Sequence, residues 1–194
     1  MFDHNDHYHG LLLKQLPPGA RHALDVGCGT GAFARALAAR GPAVDAVDPD
    51  EAVIRAAGQT PGVTFTHGDI TTMELAGGRY DFVSCLASLH HVPFGTVSRL
   101  REALAPGGVL AVLGCYREST WSDRLVSGAA VPANAAIRLA LAGRAAHSPV
   151  RAPVRPPAMT LPEIRERAAE LLPGARIRRL LFWRYLLVFR KPRT

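Results

Sequence analysis

Short apolar runs alternate with segments of helical periodicity along the first two-thirds of the chain. RHALDVG (21–27) reads as a buried strand, and GAFARALAAR (31–40) as a helix with Phe33, Ala34 and Leu37 on one face. PAVDAVD (42–48) is a second strand, DEAVIRAA (50–57) a helix, and GVTFTHGD (62–69) a third strand. RYDFVSCLA (79–87) forms a fourth strand and FGTVSRLREALA (94–105) a helix stopped by Pro106-Gly107-Gly108, before the fifth strand GVLAVLGCY (108–116). Strands separated by helices predict an α/β fold with a parallel sheet wound on both faces.

From residue 117 the rhythm breaks. Two short helices are expected (119–129 and 132–145), then a proline-rich stretch that stays extended or looped. Thr160-Leu161-Pro162-Glu163 carries an N-cap, a proline in the first turn and a capping-box glutamate, opening a helix to about Leu172. ARIRRLLFW (175–183) and RYLLVFRKP (184–192) close the chain as two strands, paired antiparallel because no crossover helix separates them.

The chain has 194 residues, 48% of them hydrophobic, which suits one domain over 1–194. No apolar run approaches the roughly 18 residues that span a bilayer, and the N-terminus lacks the pattern of a signal peptide, so a cytoplasmic protein without a membrane partner is expected. Cys28, Cys85 and Cys115 are odd in number and widely spaced, which argues against a disulfide framework or a metal site. Residues 1–110 hold 8 Lys/Arg against 11 Asp/Glu, a net of −3, whereas residues 111–194 hold 15 against 5, a net of +10. Attraction for anions therefore belongs to the C-terminal part, although a GC-rich genome would encode the same arginines.

LDVGCGTGAFA (24–34) places Gly27, Gly29 and Gly31 between a strand and its helix, where a backbone without β-carbons can turn sharply and touch a ligand. The spacing also satisfies a dinucleotide fingerprint, with Asp48 19 residues beyond Gly29. Three acids separate the readings. Asp25 would repel a pyrophosphate but could organise an ammonium group, directly or through water. Asp48 can accept hydrogen bonds from both ribose hydroxyls. Asp69 can accept one from an adenine amino group while Ile70 packs on the ring. Together they point to adenosine bearing an amino acid. Capping carboxylates and a plain turn are the structural alternatives.

On these residues the chain resembles the class I S-adenosylmethionine (SAM)-dependent methyltransferases, in the small-molecule branch similar to ubiquinone/menaquinone and natural-product enzymes. The resemblance rests on LDVGCGTG, VDAVDPD, HGDI, YDFVSCLASLHHV and LAPGGVLAVLG. It implies a Rossmann-like doubly wound seven-stranded sheet of order 3-2-1-4-5-7-6, strand seven antiparallel, with a small helical cap insertion at 117–160 and an N-terminal lid at 1–18. It also implies SAM as cofactor, S-adenosylhomocysteine (SAH) as its product, and a cofactor site of Asp25, Gly27, Cys28, Gly29, Asp48, Pro49, Asp69, Ile70 and Leu86, with Tyr8 and His9 from the lid. Leu86 and Ala87 could equally be core.

Methyl transfer from a sulfonium is an in-line displacement that needs alignment and exclusion of water, with a base for a hydroxyl or protonated amine. His90 and His91 follow the fourth strand, at the edge where ligands gather in such sheets, and are the candidate catalytic residues. Alternatively, one of them merely caps the turn. His4, His7 and His9 lack a fourth ligand and define no metal site. The same N-terminal segment is expected to place His4, His7, Tyr8 and His9 ahead of an amphipathic helix. Trp121, Arg124 and Arg138 could line an acceptor pocket. The sequence lacks an Asn/Asp-Pro-Pro-Tyr motif, a catalytic Pro-Cys and an appended RNA-binding module.

The expected activity is methyl transfer to an oxygen, or a nitrogen, of a small-molecule secondary-metabolite acceptor. Two alternatives stand beside it: an enzyme using SAM without methyl transfer, for cyclisation or rearrangement, and an RNA methyltransferase or RNA-binding protein using Arg176, Arg178, Arg179 and Arg184. Nucleic acid is not the expected partner, and the sequence leaves the oligomeric state open.

Overall fold

The computed structural model describes residues 4–117, 156–181 and 183–193, with side chains from Tyr8 onward. The elements are α1 (His4–Leu13), β1 (His22–Val26), α2 (Ala32–Ala38), β2 (Ala43–Asp48), α3 (Glu51–Ala57), β3 (Val63–His67), β4 (Tyr80–Leu86), α4 (Thr96–Ala103), β5 (Leu104–Cys115), α5 (Leu161–Leu171), β6 (Arg176–Arg179) and β7 (Arg184–Arg190). They build one seven-stranded sheet of order β3-β2-β1-β4-β5-β7-β6. β1 to β5 pair in parallel and β7 runs antiparallel between β5 and β6, the expected topology.

Strand alternation divides the core between two faces. Leu24, Val83, Cys85, Leu110 and Val112 meet Leu100 of α4 and Ile164 of α5 on one side. Ala23, Phe82, Ala111 and Leu113 meet Tyr8 and Leu12 of α1 and Phe33 and Leu37 of α2 on the other. Caps match the sequence reading at two helices: Asp50 accepts from Ala52 N and Val53 N, and Thr160 and Glu163 form the capping box of α5.

Three expectations are corrected. The N-terminal histidines do not precede a helix, because α1 starts at His4 and includes Tyr8 and His9. Pro106-Gly107-Gly108 lies inside β5 at an irregularity, since Tyr80 pairs with Leu104 and Phe82 with Val109. The run 175–183 supplies only four strand residues, Arg176–Arg179, and Trp183 stands at φ 57° just before β7. The helices expected at 119–129 and 132–145, and most of the 117–160 insertion, lie outside the described residues. Among the described residues no helix is long and apolar enough to cross a membrane.

Candidate active site

The carboxyl ends of β1 to β4 border a cavity of about 720 Å³. Its floor is the turn from β1 to α2, in which Gly27 (φ 70°) and Gly29 (φ 55°) hold left-handed backbone. A β-carbon on Gly27 would stand 2.3 Å from Ser88 Cβ, so the turn and the segment after β4 meet where no side chain fits. A β-carbon on Gly29 would meet open space. Gly27 N and Cys28 N donate to Val47 O at 2.8 and 3.1 Å, and Gly29 N donates to Asp48 Oδ2 at 2.9 Å, so β2 holds the turn in place. Asp48 Oδ1 accepts from Asp50 N at 3.0 Å, and each carboxylate oxygen retains a lone pair for another donor.

Asp25 lines the cavity yet is 1% exposed. Its Oδ1 accepts from Ser84 Oγ at 2.8 Å, while its Oδ2 is buried without a hydrogen-bond partner. Burial lifts the carboxyl pKa to about 7; the Ser84 hydrogen bond opposes the rise and the Asp48 charge adds to it. A buried acceptor without a donor is costly, so this corner suits a ligand carrying a cation or an N–H group. At the rim, Asp69 Oδ1 accepts from Thr71 N and Thr71 Oγ1 at 2.8 and 2.7 Å, which hold its carboxyl below the usual carboxylate range. Ile70 beside it is buried.

Cys28, Pro49 and Leu86 also border the cavity. Burial, together with the Asp25 and Asp48 charges, pushes the Cys28 thiol up and keeps it protonated. Ser88 Oγ donates to Val26 O at 2.6 Å, tying the end of β4 back to β1. The tandem histidines occupy a single 3-10 turn, Leu89–His91, with ring centroids 4.0 Å apart. His91 borders the cavity and His90 does not. Burial pushes His90 down to about 4, with the charges of His91 and Arg184 acting in the same direction.

The lid pair divides in the same way. His9 borders the cavity, its ring set edge-on to Phe33 at 5.0 Å. Tyr8 instead lies in the core and donates from its hydroxyl to Leu181 O at 3.2 Å. Consecutive helical residues point about 100° apart, so the expectation that both face the ligand is corrected. Phe33 and Val53 line the cavity without a sequence signal that marks them as site residues, and Ser84 meets Asp25 only through the register of β1 against β4.

Among the described residues no group of three His, Cys, Asp or Glu could hold a metal ion. Trp121, Arg124 and Arg138 lie outside the described residues. Arg176 and Arg178 are exposed on β6, whereas Arg179 Nε donates to Tyr116 Oη at 3.0 Å and Arg184 Nη1 to Cys115 Sγ at 3.1 Å.

Comparison with known proteins agrees with this geometry. Residues 23–108 match the family described as a methyltransferase domain. An uncharacterised methyltransferase of Mycobacterium tuberculosis is 40% identical over 195 residues, spanning 97% of this chain and 96% of its own. A ubiquinone biosynthesis O-methyltransferase of Marinobacter nauticus is 37% identical over 102 residues, 47% of this chain and 43% of the relative. The SAM-bound structure of an amino pentose methyltransferase from Micromonospora echinaspora, involved in calicheamicin biosynthesis, superposes with a TM-score of 0.66 at 21% identity, covering 100% of this chain and 92% of that one. The chain belongs to the class I SAM-dependent methyltransferases, and SAM is its methyl donor.

Proposed function

We propose that this enzyme methylates an oxygen, or a nitrogen, of a small-molecule secondary metabolite, with the cavity above β1 to β4 as its cofactor site. The observation that carries the reading is the Asp25 carboxylate, whose buried Oδ2 lacks a donor inside that cavity. SAM carries an ammonium group, a ribose diol and an adenine. The residues fit these parts: Asp25 for the ammonium, Asp48 for the ribose hydroxyls, and Asp69 with Ile70 for the adenine. Gly27, Cys28, Gly29, Pro49 and Leu86 supply backbone and apolar wall, and His9 an outer edge.

When bound, SAM supplies an electrophilic methyl group on a sulfonium. The protein's work is to orient the acceptor, exclude water and take up a proton. His91, bordering the cavity, is the group assigned to accept the proton from an acceptor hydroxyl at a ring nitrogen. His90, held neutral by burial, packs against it and sets its orientation. A small-molecule acceptor is favoured by the names of two similar proteins, one acting in ubiquinone biosynthesis and one on an amino pentose.

The reading extends to a single domain over 1–194, with residues 1–18 as a lid and 117–160 as a cap, acting in the cytoplasm. Equilibrium binding tests its foundation. SAM and SAH should bind the wild type in the micromolar range and NAD should not; tight NAD binding without SAM binding would overturn the assignment.

A further inference from the structure

Arg184 opens β7 opposite Cys115 of β5. It therefore stands at the same edge of the sheet as the residues after β4, since Ala87 N donates to Leu113 O two residues before Cys115. Its backbone is fixed on both sides: Arg184 O accepts from Leu180 N at 2.8 Å, and the preceding carbonyl, Trp183 O, accepts from Tyr116 N at 3.1 Å. The half-buried side chain donates from Nη1 to the Cys115 thiol, while its Nε is buried without a partner. Burial pushes that thiol up, against the pull of the Arg184 charge, so the guanidinium faces a neutral sulfur, a weak acceptor.

Among the described residues, no compensating acid meets the guanidinium and no ion pair includes Arg184. Its charge reaches Tyr8, where it opposes the rise due to burial, and His90, where it adds to the fall due to burial and to His91. Among the described residues, no carboxylate acts on His90 or Cys115. A guanidinium held partly out of water without an anion is unfavourable, and its planar fork is shaped for a carboxylate or phosphate.

We propose that Arg184, at the sheet edge from which the tandem histidines follow and without an acidic partner among the described residues, binds an anionic group of the acceptor, so that the methylated small molecule is an organic acid bearing a carboxylate or a phosphate. This rests on the proposed cofactor site and adds the substrate's charge to it. The bond is noncovalent and charge-assisted, with Nε and the outer guanidinium nitrogens donating to the oxyanion. Neutral isosteres lose it, and a cationic amine is repelled.

The test titrates benzoate, phenyl phosphate and benzamide into SAH-saturated protein, using the wild type, Arg184→Gln and Arg184→Lys. At least one anion should bind the wild type about tenfold or more tightly than benzamide, and Arg184→Gln should abolish that preference. Arg184→Lys should keep part of it, and SAH affinity should stay within about twofold in all three proteins. Whichever anion is preferred identifies the acid as carboxylate or phosphate. The proposal is overturned if neither anion binds, if benzamide binds as well as the anions, or if the preference survives in Arg184→Gln. It is also overturned if Arg184→Gln weakens SAH, because the bound anion is then the cofactor's own carboxylate. Should Arg184→Gln lack a cooperative melting transition, the wild-type preference and the Lys variant decide. Failure of the cofactor site reads differently, as absence of SAH binding to the wild type.

Discussion

Ser84 Oγ donates a 2.8 Å hydrogen bond to Asp25 Oδ1 across two parallel strands in which the residues stand in direct register. The pair splits one carboxylate into a satisfied oxygen and an oxygen without a partner, both buried at a cavity wall. Asp25→Asn should lower SAM affinity by at least about tenfold, since the charged partner of an ammonium is lost. Calorimetry checks this, and wild-type affinity in the variant would remove Asp25 from the site.

The raised pKa of Asp25 has a defined sign. Unfolded, the group titrates near 4; folded, near 7. The folded state therefore binds the proton more tightly, and the corresponding stability is present at low pH and lost as pH rises from about 4 toward 7. The difference in Tm between wild type and Asp25→Asn should change over that window. In addition, SAM binding at pH 6 should release a proton from Asp25, read from the dependence of binding enthalpy on buffer ionisation.

Gly27 and Gly29 share left-handed backbone and differ in what surrounds them. Gly27→Ala forces a β-carbon against Ser88 and should lower stability by more than about 2 kcal/mol. Gly29→Ala meets open space and carries only the conformational cost, about 1–2 kcal/mol. Thermal melts of the two variants should rank in that order; equal Tm values would count against the close approach of the two segments.

His91→Gln should lower kcat by about a hundredfold or more, with SAM affinity unchanged, if its imidazole accepts the proton. His90→Gln should act less on kcat and more on acid stability. Because the folded pKa of His90 is depressed to about 4, its contribution is fully present above about 6.5 and is lost as pH falls toward 4. Melts at pH 7 and pH 5 should therefore differ less in His90→Gln than in the wild type.

Thr160→Ala removes the hydroxyl that accepts from Glu163 N and donates to Glu163 Oε2 at the start of α5, leaving the Thr160 N–H bond in place, and should cost about 1 kcal/mol. α5 packs on the face away from Tyr8 and Phe33, so SAM binding should persist. A loss of SAM affinity without a fall in Tm would contradict this separation.

Much of the fold and of the candidate site was legible because it depends on local chemistry. Alternating strands and turn glycines are written within a few residues of where they act, and so are the acids ending β1, β2 and β3. The missed details depend on distant neighbours. Tyr8 is buried in the cluster that includes Phe33 and Leu113, and its hydroxyl reaches Leu181 O, 173 residues away. The run 175–183 has β-rich composition throughout, yet only Arg176–Arg179 find partners on β7 before the hairpin turns.

By itself, then, the sequence determined the succession of strands and helices, the antiparallel closing pair and the edge at which chemistry gathers, since hydrophobic period and glycine spacing act locally, while the seven-stranded order was implied by the resemblance its motifs carry. Tertiary structure alone decided which of two adjacent residues faces the cavity: His9 and not Tyr8, His91 and not His90. It also left Asp25 with one unpartnered oxygen and Arg184 without an acid among the described residues. Those outcomes follow from strand register and helix rotation, which bring together groups dozens of residues apart and which no local pattern encodes.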